Sequence, residues 1–497
     1  MSAMGLNFAI PTKLFSSGER GFWITVGICA FVLPLLILAA LNGGGRIAVM
    51  IAIAFPMIAL AAINIRVAIL AVYVYLVLLG DIRRALISLT GWSGADPLLL
   101  LGSFFAVIVG LYALASRQVR LDTPLSRFVL ALMAVMVLQM FNPKQGGLVV
   151  GVAGSIFLLV PLFWYWVAKS YATIDFMRRL LWYVVVPLSL AAMFFGYYQS
   201  FYGYLPYQMD WYRIAGYLGL GNLETGLAPI SFFASGTEHG AFLLTGGVVL
   251  VAAFMRGHRV AIIPVLLIFV AILLTGSRGP VVKLLGVAAI LWAVQGRTKK
   301  VWVPRVLLAV AIFGIGLAWS LTRITSMSLD ARMQTSLERQ SQLFESTGER
   351  STVAVHSSLL VGGYASVIKN PLGSGLGATS SAAVKFGEGG RASTETDFGD
   401  VMVATGLVGG VLYHIIAVLI VILAVRYWLR TRSLLALAIL GILAAHLFLW
   451  LGGGLYAISP LVWICIGALD RFEREEMGRS VAQETTPIAA SMTDASS

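Results

Sequence analysis

The sequence predicts an all-α fold, a polytopic membrane helix bundle of about 12–14 transmembrane helices with one large extracytoplasmic loop. Three observations lead there. Hydrophobic residues make up 59% of 497 positions, charged residues only 11%, and the mean hydropathy is +0.90; so few charges could not cover the surface of a soluble protein of this length. Apolar runs near the length of a bilayer core follow one another along the chain. The cations between those runs alternate in density from one connection to the next.

Taken in order, the runs fall at 22–41, 46–64, 67–80, 97–115, 127–141, 147–168, 180–203, 238–255, 260–275, 280–296, 303–321, 401–425, 433–450 and 454–469. The short ones at 67–80, 127–141, 260–275 and 280–296 set the lower end of the range. Lys13 and Arg20 precede a first run longer than a signal-peptide core, with no small-residue cleavage pattern, so it reads as an uncleaved span. Cys29 and Cys465 each lie inside an apolar run and read as small packing residues. Residues 1–200 are expected to be N-terminal transmembrane helices, 201–470 the functional region, and 471–497 a disordered cytoplasmic tail of small polar character.

The net charge of +13 is a matter of topology, and no nucleic-acid partner is expected. Connections with Arg66, with Arg117, Arg120 and Arg127, with Lys169, Arg178 and Arg179, with Arg256 and Arg259, and with Arg426, Arg430 and Arg432 carry most of the cations. So do 297–305 and the tail with Arg471, Arg474 and Arg479. The opposite connections hold one or two each: Arg46, Arg83 with Arg84, Lys144, Arg213 and Arg278. The positive-inside bias then places both termini in the cytoplasm and the 322–398 loop outside it.

Three segments on the outer side carry candidate chemistry. Tyr204 to Gly240 is too polar to span and too aromatic for a linker; it reads either as an interfacial aromatic belt or as a pocket lining with Arg213, Glu238 and His239 facing in. In TGSRGP, Thr275 to Pro280, Pro280 suits the first residue of a helix and Ser277 a cap. Free helix N–H groups and Arg278 would converge there as an anion site, or Arg278 would simply meet lipid head groups. The third is the loop, where NPLGSGLG (Asn370 to Gly377) has the turn chemistry of backbone that bends sharply or approaches a ligand, with Asn370 and Gly375 as candidate pocket residues. It lacks the lysine of a phosphate loop. Glu395, Asp397 and Asp400 precede the next apolar run, as helix caps or, beside Arg278, as a general base. His414 and His446 lie within runs and read as packed histidines. No spacing of His, Cys, Asp or Glu suits a metal, and no cofactor is expected.

In order and spacing, SFFASGTEHGAFLL (Ser231 to Leu244), LLTGSRGP (Leu273 to Pro280), Glu349–Ser351, NPLGSGLG and Glu395-x-Asp397 followed by GLVG resemble the O-antigen ligase and polymerase superfamily over roughly residues 200–470. The resemblance implies a metal-independent glycosyltransferase of the GT-C kind in the bacterial inner membrane, acting on polyprenyl-diphosphate-linked glycans at the periplasmic face. It implies Arg278 beside the lipid diphosphate, with Arg350 as a loop arginine. Glu395 stands where ligases usually have a histidine base, which favours the polymerase branch. Many relatives carry an arginine where Ala228 and Pro229 stand; Arg213 is the expected substitute. Polymerisation of lipid-linked repeat units is therefore the leading expectation, with a chain-length regulator and a flippase as expected partners beside membrane lipids. A ligase for another acceptor, or a glycan flippase, is the alternative.

Overall fold

The computed structural model describes residues 45–92, 96–116, 121–215, 221–222, 226–296, 304–305, 352–387, 392–452 and 455–485. The expected span 22–41, nearly all of 303–321, and Arg350 lie outside the described residues. Apart from a two-residue ladder pairing Gly221–Asn222 with Gly226–Leu227, the described chain is helix and connecting turns. In order these helices are α1 (Gly45–Ile63), α2 (Ile65–Ala85), α3 (Leu98–Ala115), α4 (Pro124–Gln139), α5 (Leu148–Leu158), α6 (Val160–Tyr171) and α7 (Ile174–Tyr202). There follow α8 (Pro206–Ala215), α9 (Gly236–Met255), α10 (Ile262–Leu274), α11 (Arg278–Val294) and α12 (Thr352–Lys369). The last four are α13 (Ser381–Phe386), α14 (Asp397–Thr431), α15 (Leu434–Ala445) and α16 (Ile458–Thr485).

Among the described residues six helices are long and apolar enough to cross a bilayer, and up to seven if α5 and α6 are one span bent by 42°. The bend has a cause in Pro161, which cannot donate into the helix at the second position of α6. Pro187 has the same effect inside α7, where residues 180–185 widen into a π turn just before it. The runs expected at 127–141, 260–275, 280–296 and 433–450 are helices shorter than a span. α16 continues through Thr485, so it is helical well into the stretch from 471 that composition marks as disordered.

Asp397–Thr431 departs most from expectation. At Gly406 (φ 69°, ψ −159°) the chain leaves helical geometry. Residues 397–405 then fold back along 407–431: the Phe398 ring lies 5.0 Å from His414 and 5.3 Å from Tyr413, and Tyr413 Oη donates to Asp397 Oδ2 at 3.3 Å. A straight helix would put residues 397 and 413 about 24 Å apart. The expected single span at 401–425 is thus a helical hairpin, with a short arm (397–405) and a long arm (407–431). Within the expected 322–398 loop, α12 is a regular helix that packs on this hairpin: Gly399 Cα lies 3.1 Å from where a Cβ of Gly363 would stand, and Tyr364 Oη lies 2.7 Å from His414 Nε2.

The connections sort into two ends. At one, Arg66 Nε donates to the Tyr171 carbonyl at 3.0 Å, Arg430 pairs with Glu473 at 2.8 Å, and buried Asp470 Oδ2 accepts from Lys169 at 2.7 Å and Tyr165 at 2.5 Å. At the other, Arg46 and Arg83 share buried Asp96, with Trp92 within 6 Å of both guanidinium groups. These are the two groups of cations that the charge alternation separates. Between the ends lies a core with Trp164, Trp166, Trp428, Trp450 and Trp463 fully buried, while the flanks leave large apolar side chains such as Ile58, Ile108, Phe194 and Val418 exposed, as lipid contact requires.

Candidate functional site

At the Arg46 end, the heads of α9 and α11 and the short arm of α14 converge on the Gly-rich segment between α15 and α16. The segment before α9 is held first. Arg84, fully buried at the end of α2, donates to the carbonyls of Phe233 (2.6 Å) and Ser231 (2.9 Å). Gly80 makes room, because a Cβ there would stand 2.5 Å from Phe233 backbone. Gln199 Oε1 accepts from the amides of Ile230 (2.9 Å) and Ser231 (2.7 Å). Ser235 then caps α9 through the Glu238 amide at 3.2 Å.

Two buried carboxylates anchor the segment after α15. Glu238 Oε1 accepts from the Ala457 amide at 3.0 Å, and its Oε2 accepts from Ala234 at 3.3 Å. Asp397 Oδ2 accepts from the Leu451 amide at 2.7 Å and Oδ1 from Gly452 at 3.2 Å. Backbone N–H groups that would be orphaned inside the bundle are satisfied by these two acids. Lys283 on α11 lies within electrostatic reach of both Asp397 and His446. Thr245 donates to the Ala241 carbonyl, so its oxygen accepts from His446 Nε2 at 2.8 Å. α11 begins beside α9, with Pro280 Cγ 3.1 Å from where a Cβ of Gly240 would be. Its helix starts at Arg278, two residues earlier than Pro280 suggested, and Ser277 stands at the cap position without a capping hydrogen bond.

The expected site residues divide clearly. Arg278 heads α11, but its side chain lies outside the described residues. Glu395 is exposed and in the left-handed region (φ 61°), on a turn that Asp400 ties down by accepting from the Thr394 amide at 2.6 Å and from Ser393 Oγ at 3.2 Å. A non-glycine residue held there carries strain of order 1–2 kcal/mol, the kind retained at functional turns. Asp397 is buried, with both oxygens committed to backbone amides. His239 Nδ1 lies 3.1 Å from the Pro229 carbonyl, and its ring packs beside Phe233 in space left by Gly196, away from Arg213. Arg213 is exposed on α8 and pairs with Asp210 at 3.6 Å. Arg213, Glu238 and His239 therefore do not line one pocket. The buried guanidinium beside SFFAS belongs to Arg84.

Asn370 and Gly375 have internal roles. The break at Gly406 frees helical backbone groups, and the NPLGSGLG turn fills it: Ser374 and Gly375 amides donate to the Val403 (2.9 Å) and Ala404 (3.0 Å) carbonyls, and Leu407 donates to Pro371 at 2.9 Å. The α4–α5 turn grips the other side. Lys144 Nζ donates to Asn370 Oδ1 at 2.8 Å, Gln139 to the Leu372 carbonyl at 2.6 Å, and Asn142 to the Gly373 carbonyl at 3.1 Å.

Sequence reasoning missed Arg84, Lys283 and Gln145. A paired arginine closing a span at the cation-poor end was the available signal for Arg84; Lys283 and Gln145 carried none. No family model matches the chain, and no curated protein does either.

Proposed function

We propose that the chain polymerises polyprenyl-diphosphate-linked oligosaccharide repeat units at the periplasmic face of a bacterial inner membrane, with the Arg46 end outward. One observation supports this most: the head of α11, which begins with Arg278, packs with Pro280 against Gly240 of α9, and Glu238 of α9 and Asp397 of the short arm hold the same segment between α15 and α16. A lipid diphosphate keeps its chain in the bilayer and its charge at the boundary, where free helix N–H groups and a guanidinium suit it.

In this reading Glu395 takes the proton of an incoming sugar hydroxyl. The hydroxyl oxygen bonds to the anomeric carbon of the lipid-linked chain from the face opposite the leaving group, and the bond from that carbon to the diphosphate oxygen breaks. The departing diphosphate is stabilised by the α11 head and Arg278. Asp397 does not serve as the base, since both its oxygens already hold the 451–452 backbone; it positions the arm.

Arg278→Ala and Glu395→Gln test the proposal in cells. Loss of chain extension with lipid-linked repeat units accumulating at the periplasmic face is expected. Units retained at the cytoplasmic face would instead indicate a flippase, and full extension by both variants would overturn the assignment.

A further inference from the structure

We infer that Gln145, far from the acids in sequence and belonging to a stretch with no chemistry of its own, is a positioning residue that sets where the short arm holds Glu395. The inference rests on the polymerase reading for its consequence in catalysis, but the coupling itself is geometric.

Gln145 is buried and uses both ends of its amide. Its Nε2 donates to the Met140 carbonyl at 2.7 Å, which ties it to the end of α4, and its Oε1 accepts from the Gly377 amide at 3.0 Å. The backbone of the turn runs so close that a Cβ on Gly375 would stand 2.5 Å from Gln145 Oε1. Gln145 is thus a bolt between the α4–α5 turn and the NPLGSGLG turn. That second turn is the wedge in the Gly406 corner, through Ser374, Gly375 and Pro371. The corner is the covalent link between the short arm and the long arm, which also meet through Tyr413 Oη on Asp397 and Phe398 on His414, and the short arm starts at the turn that carries Glu395. The long arm is independently fixed at its far end by Trp428 Nε1, which donates to the Val294 carbonyl at 3.1 Å, and by Arg430, which pairs with Glu473 at 2.8 Å. A shift of the wedge therefore displaces the 403–405 end of the short arm, and the helical arm carries that displacement against the Asp397 anchor to the turn at Glu395.

The test separates this coupling from the enzyme assignment. In a chain with Cys29→Ser and Cys465→Ala, Glu395→Cys reports the arm through its alkylation rate with a membrane-impermeant maleimide, and Asp210→Cys on exposed α8 serves as the reference. Adding Gln145→Leu is expected to change the rate at 395 by about fivefold, the factor corresponding to one net hydrogen bond, and to leave the rate at 210 unaltered. Gln145→Glu, when protonated, keeps an acceptor and a donor in place, so its rate at 395 approaches the parent value as pH falls, while Gln145→Leu shows no such pH dependence. Equal rates at 395 in parent and Gln145→Leu overturn the inference. Should Gln145→Leu fail to fold, Gln139→Ala and Asn142→Ala loosen the same turn from its rim and carry the same expectation. With Glu395 intact, the Gln145 variants are expected to lower kcat with KM unchanged. Altered labelling in a protein whose parent extends no glycan would leave the coupling standing and remove the polymerase reading.

Discussion

Gly406→Ala probes the corner of the α14 hairpin directly. At φ 69° and ψ −159° the residue occupies a region open almost only to glycine, and an alanine there costs about 1–3 kcal/mol in backbone strain. The new Cβ would overlap the Pro371 carbonyl and approach the Gly373 amide to 2.5 Å, so the wedge must shift, at a further cost of about 1–3 kcal/mol. If the wedge leaves altogether, the bonds to Val403, Ala404 and Leu407 are lost instead, at about 0.5–1.5 kcal/mol each. The first route sums to about 2–6 kcal/mol and the second to about 2.5–7.5 kcal/mol. Gly362→Ala is the control: its site in α12 is open, and alanine there should stabilise by about 0.5–1 kcal/mol. Thermal unfolding in detergent, followed by tryptophan fluorescence, reads both. A melting temperature for Gly406→Ala equal to that of the parent would refute the hairpin geometry and everything placed by it.

Other expectations follow from single side chains. Arg84→Met leaves the Ser231 and Phe233 carbonyls buried without their donor and should destabilise by about 2–5 kcal/mol, measured by the same melt. Lys169→Met strands a buried carboxylate and should cost about 3–5 kcal/mol, part of which Asp470→Asn in the same chain restores. Glu395→Gln lies on an exposed turn and should change stability by no more than about 0.5 kcal/mol while stopping glycan extension. Glu395→Gly should raise stability by about 1 kcal/mol through relief of its left-handed backbone, and it too should be inactive.

The helical class was legible because apolar runs and cation alternation are long-range averages that no single residue can spoil. The hairpin was not. GLVGG after Thr405 reads as a span interior, and only the coordinates show Gly406 reversing the chain, with Gly409 and Gly410 admitting the short arm. NPLGSGLG was legible as a turn but not as a wedge, because its partners at 139–145 and 403–407 lie far away in sequence. Glu395 and Asp397 were legible as acids before a helix. Their division into one exposed and one buried depends on which amides the 451–452 backbone leaves open, and periodicity carries no trace of that. Arg213 is near that segment only in the chain, whereas Arg84 reaches it across the bundle.

Chain growth in proteoliposomes, from purified polyprenyl-diphosphate oligosaccharide and with excess chelator present, tests the central claim most directly. Products of two or more repeat units are expected with the parent protein, equal with and without chelator, and none with Glu395→Gln. Absence of elongation by the parent, or elongation that chelator abolishes, would contradict it.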